Sequence, residues 1–156
     1  MKRLNKKQAI AVSVAVALIV LLYAAPNKHT TNVQMGIELD QKVAEAVALV
    51  QGEAPMQGIG MLKEVLEQDP DNVKALLYLG AFSVQTGQYD KAVDRLEKVV
   101  KLEPSATDAW FYLGISYREL GQRDKAITSF EEFKAISEDP ELLEMVEKYI
   151  TDLKNS

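Results

Sequence analysis

The most constraining feature of this sequence is a pattern that recurs at one fixed spacing along the chain. The dipeptide Leu79–Gly80 recurs as Leu113–Gly114, and the segment Gly87–Val93 recurs at the same spacing as Gly121–Ile127, with five of its seven residues identical. A self-match at one fixed period is typical of helical repeat arrays, in which each repeat is a small unit that packs on its neighbours. The period therefore predicts an all-α fold, and it favours a protein that acts by presenting a binding surface.

Helix boundaries are predicted from the positions of proline and glycine, together with apolar residues spaced three or four apart. Pro70 ends one helix, and Asp71 or Asn72 is placed to cap the next. Gly87 and Gly121 each follow a helix, at the point where a left-handed backbone is most often needed. We predict helices over residues 35–51, 55–68, 73–86, 88–101, 107–120, 122–136 and 141–154.

Two further glycines lie inside predicted helices. Gly80 and Gly114 each cost a helix about 1 kcal/mol relative to alanine, so their recurrence at one register indicates that a neighbouring helix comes close. Ala92 and Ala126 supply a second small residue in the helix that follows. Large side chains at matching positions are expected to fill the core, namely Leu76, Leu79, Leu96, Trp110, Leu113 and Phe130.

Together these residues resemble the tetratricopeptide repeat. That repeat is about 34 residues long, which is the spacing found here, with a large residue at position 4, Leu-Gly at positions 7 and 8, alanine at 20 and proline at 32. Residues 73–106 and 107–140 follow the pattern closely, whereas residues 39–72 follow it weakly, with Ala46 and Gly58 in place of the glycine and the alanine. The structural signature consists of Leu79, Gly80, Ala92, Leu96, Pro104, Trp110, Leu113, Gly114, Tyr117, Ala126 and Phe130.

The regular repeats depart from the family pattern at several positions, of which two matter here. Ser83 stands where the family has an aromatic residue, and Phe133 stands where it has a small one. Residues 141–154 have one apolar and one charged face, which is the pattern of a terminal helix that closes a repeat array. A dimer contact through Leu143 and Met145 is the less favoured interpretation of that helix.

The N-terminal region has a different character. Four basic residues precede an apolar run, Ala9–Ala25, which contains no charge. As a helix it would rise about 25 Å, against a hydrocarbon core of about 30 Å. We predict an uncleaved signal anchor. A cleaved signal peptide stays open as an alternative, although small residues do not stand in the A-x-A-like positions that cleavage favours.

Charge sets the predicted orientation. Residues 1–8 are expected in the cytoplasm, residues 9–25 in the membrane and residues 26–34 in a polar linker. The repeat domain, residues 35–156, is then expected outside the cytoplasmic membrane, which in a bacterium means the periplasm. The predicted fold class is all-α, with an N-terminal transmembrane helix, a right-handed α-solenoid of about three helix pairs and a C-terminal capping helix.

Composition argues against several classes of function. Residues 26–156 hold 14 basic and 23 acidic side chains, and this net charge of -9 disfavours nucleic acid as a partner. The chain has no cysteine, and its single histidine is His29 in the predicted linker. No metal site, cofactor or catalytic group is therefore predicted, and we expect an interaction protein and not an enzyme.

The resemblance implies where a partner would bind. The concave wall of tetratricopeptide arrays is lined mostly by positions 2, 5, 9, 12 and 13 of the first helix of each repeat, with position 6 close by. The family's charged version, the carboxylate clamp, has lysine and asparagine at positions 5 and 9, where this sequence has only apolar residues. The candidate groove residues are Lys74, Leu77, Tyr78, Ala81, Val84, Phe111, Tyr112, Ile115 and Arg118.

We therefore hypothesise an apolar groove that takes a hydrophobic helix or an extended segment of a partner, with Lys74 and Arg118 orienting it at the edge. An alternative is that the first helix or the C-terminal helix fills the groove. The main functional interpretation is a membrane-anchored interaction module that serves as an envelope scaffold, adaptor or assembly factor, by analogy of fold and topology. A constitutive subunit or homo-oligomer without a transient client, and a receptor on a eukaryotic organelle membrane, are the alternatives.

Overall fold

The computed structural model describes the backbone of residues 28–155 and the side chains of residues 35–155. All regular structure in that part of the chain is α-helical. The chain divides into two units between Asp40 and Gln41. The helices are α1 Lys28–Gln51, α2 Pro55–Gln68, α3 Val73–Gln85, α4 Tyr89–Leu102, α5 Thr107–Glu119, α6 Arg123–Ile136 and α7 Pro140–Asn155.

Six of the seven predicted helices agree with the structure to within one residue at each end. The first does not, because α1 begins at Lys28 and not at Met35, so most of the stretch predicted as a polar linker is helical. No proline or glycine lies between these two residues, and polar residues alone do not end a helix. The basic N-terminus and the predicted span, residues 1–8 and 9–25, lie outside the described residues. None of the helices that the structure describes is long and apolar enough to cross a membrane.

The turns use the chemistry that the sequence predicted. The side chain of Asn72 caps α3 by accepting a hydrogen bond from the backbone N–H of Ala75 at 3.1 Å. Gly87 and Gly121 have φ angles of 70° and 69°. Residues other than glycine rarely adopt this left-handed backbone conformation. At the first of these turns the N–H of Gln88 reaches back to the carbonyl of Ser83 at 2.8 Å, which completes a Schellman motif.

The helices of the second unit pack as consecutive antiparallel pairs. Helix α3 packs on α4 and α5 packs on α6, while α4 and α3 both contact α5 in the next pair. The helical glycines make room for the large residues of the paired helix. A Cβ atom on Gly80 would lie 2.7 Å from Cδ2 of Leu96, and one on Gly114 would lie 2.4 Å from Cε1 of Phe130. The close neighbour is therefore a buried side chain at position 24 of the repeat, and not the helix backbone.

The first pair solves the same packing problem differently. A Cβ atom on Gly58 of α2 would lie 2.4 Å from the carbonyl oxygen of Ala46 and 2.8 Å from the backbone nitrogen of Val50, both in α1. Ala46 is fully buried. In the later pairs the glycine lies in the first helix, whereas in this pair it lies in the second helix. There it permits direct contact between the two helix backbones. The weak match of residues 39–72 to the family pattern is not a sign of loose packing.

Ser83 stands where the family has an aromatic residue, and a large side chain from the paired helix, Arg95, reaches it instead. In α4, Arg95 extends its guanidinium to Ser83, with Nη1 donating to Oγ at 2.8 Å. One repeat later the large residue is Tyr117 in α5, and its partner in α6 is the small Ser129. The large side chain thus stands at position 23 in the earlier repeat and at position 11 in the later one.

Helix α7 packs on α6, the second helix of the third repeat. Val146 and Ile150 are buried, and Lys134 of α6 forms an ion pair with Glu147. The ring centroid of Tyr149 lies 5.6 Å from that of Phe130. The outward-facing side of α7 is polar apart from Met145, whose side chain is exposed. These contacts cover the outer side of the third helix pair, which is the packing expected of a capping helix.

Candidate functional site

The predicted groove residues lie on the first helices of the second and third repeats, and nearly all of them are half-buried. Lys74 alone among them is exposed. The half-buried residues are Leu77, Tyr78, Ala81, Val84, Phe111, Tyr112, Ile115 and Arg118. Partial burial is what a binding wall requires, but it is also what the flank of a packed helix shows. The contacts of each predicted groove residue distinguish those that face an open space from those that pack within the fold.

A cavity of about 330 Å³ identifies the open part of this wall. It is lined only by residues of α1, α3 and α5, which are the first helices of three successive repeats. Its lining residues are Val50, Gln51, Tyr78, Ala81, Phe82, Gln85 and Tyr112. We call this cavity the groove cavity. Its place between successive first helices is the place that the repeat pattern predicted for a binding wall.

Three of the predicted groove residues meet in the groove cavity: Tyr78, Ala81 and Tyr112. The two tyrosines occupy the same position of consecutive repeats, and Ala81 is the smallest residue of the lining. Phe82 was missed by the sequence analysis, and so were Val50 and Gln51, which lie one repeat before Val84 and Gln85. Counting back one full repeat, into the irregular first unit, would have found Val50 and Gln51.

The remaining predicted residues contact the chain itself. The ring of Phe111 packs against Phe133 of α6, with centroids 5.4 Å apart. The guanidinium of Arg118 lies 4.2 Å from the ring centroid of Tyr149 in α7, and its Nη2 is 2.8 Å from Glu119. Arg118 is thus not placed at the edge of the groove cavity. Leu77, Val84 and Ile115 pack against the buried core.

The last repeat consequently presents less of an open wall than the sequence predicted. Its first helix is covered by its own second helix and by the capping helix, through Phe133 and Tyr149. The open part lies towards the first two repeats. The alternative that the chain fills its own groove therefore applies to the C-terminal part of the wall, and the groove cavity is the part that stays open.

The groove cavity is electrically neutral. Its lining contains two tyrosines and two glutamines but no charged side chain. Burial, with a smaller contribution from Asp108, raises the pKa of the Tyr112 phenol. That phenol therefore stays protonated at physiological pH and can both donate and accept hydrogen bonds. The site offers apolar surface from Val50, Ala81 and Phe82 beside neutral hydrogen-bonding groups, which suits a neutral ligand.

Comparison with known proteins agrees with this architecture. The tetratricopeptide repeat family matches the chain twice, over residues 83–140 and over residues 49–101. The solved structure of a MamA point mutant is 31% identical to this chain, covers 75% of it and 83% of the MamA chain, and has a TM-score of 0.51. The chain belongs to the tetratricopeptide repeat family, and it is a protein–protein interaction module.

Two other solved structures are also similar to this chain. A second MamA mutant is 35% identical with a TM-score of 0.58, and the match covers 63% of this chain but only 57% of the MamA chain. The Sgt2 TPR domain from Aspergillus fumigatus is 21% identical with a TM-score of 0.63, covering 76% of this chain and 83% of that domain, and shares the fold. No curated protein matches the sequence significantly.

Proposed function

We propose that this protein binds an apolar, uncharged segment of another protein in the groove cavity. The observation that carries this proposal is a cavity of about 330 Å³ to which three successive repeats contribute and which no charged side chain lines. That volume lies at the lower end of protein ligand pockets, and it suits one or two apolar side chains of a peptide. A charged tail of the kind gripped by the carboxylate clamp does not fit this lining.

An extended segment fits the groove cavity better than a helix. Gln51, Gln85 and the two tyrosine hydroxyls offer hydrogen-bond donors and acceptors beside the apolar floor at Ala81. The backbone amides of an extended peptide are free to pair with such groups, whereas those of a helix are already paired within the helix. Apolar side chains of the peptide would then fill the cavity while its backbone is held at the rim.

The proposal includes attachment to a membrane. The basic N-terminus and the apolar run Ala9–Ala25 support a single N-terminal anchor, with the repeat domain on the extracytoplasmic side. The module would then act as an envelope scaffold or assembly factor that holds a partner close to the membrane. This part of the proposal rests on sequence alone.

Site-specific photocrosslinking tests the groove cavity. A photoreactive residue in place of Gln85 should label another protein in intact cells, and the labelled peptide should be apolar and uncharged. Ala81→Arg should abolish that labelling because it fills the cavity with a charged side chain. Ala48→Arg makes the same change at an exposed position of α1 and should leave labelling unchanged.

Three results would count against the groove proposal. Labelling confined to the chain itself would mean that the groove is filled internally. Labelling of a second copy alone would favour the homo-oligomer. Equal labelling in the Ala81→Arg and Ala48→Arg variants would remove the cavity from the binding site.

The membrane topology can be tested separately because the chain contains no cysteine. A single cysteine is introduced at Asn155 in one variant and at Lys6 in another, and intact cells are treated with a membrane-impermeant maleimide. We expect labelling of the Asn155→Cys variant only. Labelling of neither variant until the cells are lysed would place the repeat domain in the cytoplasm.

A further inference from the structure

A second cavity, of about 450 Å³, lies between α4, α5 and α6. Its walls are apolar and include Val100, Trp110, Leu113 and Tyr117. Trp110 and Leu113 lie on a different face of α5 from Tyr112, since residues one and two places apart on a helix point about 100° and 200° apart. This space, which we call the junction cavity, is therefore separate from the groove cavity.

The junction cavity coincides with the exchange of large and small side chains between positions 11 and 23 of the repeat. At the corresponding place one repeat earlier, between α2, α3 and α4, the cavity measures only about 180 Å³ and Arg95 lies in its wall. In the later repeat, Ser129 occupies the position that corresponds to Arg95, and its side chain is much shorter. Of these two junctions, the later one thus has the wider cavity.

Hydrogen bonds hold the two large aromatic rings of the wall in place. The indole N–H of Trp110 donates to the carbonyl of Pro104 at 2.9 Å, and the hydroxyl of Tyr117 donates to the carboxylate of Glu97. Each ring is therefore anchored by its polar end while its apolar surface borders the cavity. A wall fixed in this way loses little conformational freedom when a ligand binds.

The rim of the junction cavity carries positive charge. Lys101 and Lys125 both line it, and Nζ of Lys125 lies 4.9 Å from the ring centroid of Tyr117. The third charged residue of the lining is Glu97, whose carboxylate already accepts the hydrogen bond from Tyr117. With two lysines and one carboxylate the lining carries one net positive charge, on a domain whose net charge is -9 from residue 26 onward.

We propose that the junction cavity is a second protein-binding site, which takes an acidic segment of a partner protein. One apolar side chain of that segment enters the hollow between Trp110 and Leu113, and carboxylates on either side of it pair with Lys101 and Lys125. Charge complementarity selects this ligand, since the cations repel a basic segment and a neutral one gains nothing from them. This site is independent of the groove cavity and of its ligand.

Trp110 makes the test direct, because it is the single tryptophan of the chain. The full chain, purified in a mild non-ionic detergent, is titrated with short capped peptides of the form Glu-x-Glu, in which x is each apolar residue in turn. We expect the Trp110 emission to change saturably with at least one of them. Replacing both glutamates of that peptide by glutamine, or x by serine, should weaken binding about fivefold or more.

Matched variants assign the signal to the junction cavity. The double variant Lys101→Gln/Lys125→Gln should weaken binding about fivefold, whereas Lys63→Gln/Lys91→Gln, which removes two cations from the smaller cavity, should not. Thr128→Phe should block the opening, and Asp94→Phe, at the same register of the preceding repeat, should leave binding intact.

The proposal is overturned if no Glu-x-Glu peptide changes the Trp110 emission, or if the glutamine peptides bind equally well. It is also overturned if the two double lysine variants bind alike. A self-association of the chain that the Lys101→Gln/Lys125→Gln variant abolishes, and with which the peptides do not compete, would assign this face to a second copy instead.

Discussion

Replacing the helical glycines by alanine tests how the repeats pack. Alanine at Gly114 would gain about 1 kcal/mol of helix propensity. Its Cβ atom would, however, lie 2.4, 2.5 and 2.9 Å from three atoms of the Phe130 ring, well inside ordinary contact distance. Phe130 is fully buried and has Tyr149 beside it, so the ring cannot retreat without disturbing the capping helix. Overpacking of this kind costs about 1–3 kcal/mol, so we expect a net loss of about 1 kcal/mol.

The other glycines give an ordered series of controls. Gly60 in α2 has no neighbouring atom within 4 Å of an added Cβ, so Gly60→Ala should stabilise the fold by up to about 1 kcal/mol. At Gly80 the obstacle is Leu96, which is more adaptable than a ring, so Gly80→Ala should be close to neutral. Gly58→Ala should be the worst, with a loss above about 2 kcal/mol, because the obstacle is the backbone of Ala46.

Urea unfolding of the full chain, followed by circular dichroism and Trp110 fluorescence, measures these differences. A second variant then identifies the cause. Adding Phe130→Leu to Gly114→Ala should recover part of the loss, because the smaller side chain removes the overlap and the two changes are coupled. The reasoning is refuted if Gly114→Ala stabilises the protein as much as Gly60→Ala does.

Three further predictions concern single contacts. Asn72→Ala should cost about 1 kcal/mol through loss of the α3 cap, whereas Asn72→Asp should cost much less in the same urea titration. Lys134 lowers the pKa of the exposed Glu147, so the stability difference between wild type and Glu147→Gln should be present at pH 7 and vanish as the pH falls below about 4; a difference constant with pH would contradict this. Burial, with a hydrogen bond to the carboxylate of Glu97, raises the pKa of Tyr117, so wild type should lose stability relative to Tyr117→Phe as the pH rises above about 10. Parallel stability profiles of those two proteins up to pH 11 would contradict that assignment.

The element boundaries could be predicted from sequence because local chemistry decides them. Gly87 and Gly121 adopt the left-handed conformation that few other residues tolerate, and Asn72 caps its helix within three residues of itself. The helix at Lys28 was misjudged for the opposite reason. Its residues 28–34 are mostly polar and are compatible with either a linker or a helix, so hydrophobic periodicity does not distinguish the two.

The groove cavity could be predicted only in part. The repeat register found Tyr78, Ala81 and Tyr112, since a residue that faces the wall in one repeat tends to face it in the next. It did not foresee that Arg118 would lie on Tyr149. That contact joins two residues far apart in sequence, and it depends on how α7 packs, which no local pattern specifies.

The sequence by itself determined the repeat, its helices and its turns, because a fixed repeat period constrains backbone conformation at every position that recurs. The tertiary structure decided which parts of the surface stay open. The earlier junction has Ser83 and Arg95 where the later one has Tyr117 and Ser129, so the large side chain stands on different helices, and the later junction has the larger cavity. The size of a cavity depends on side chains from several helices at once, and their spacing exists only in the packed fold.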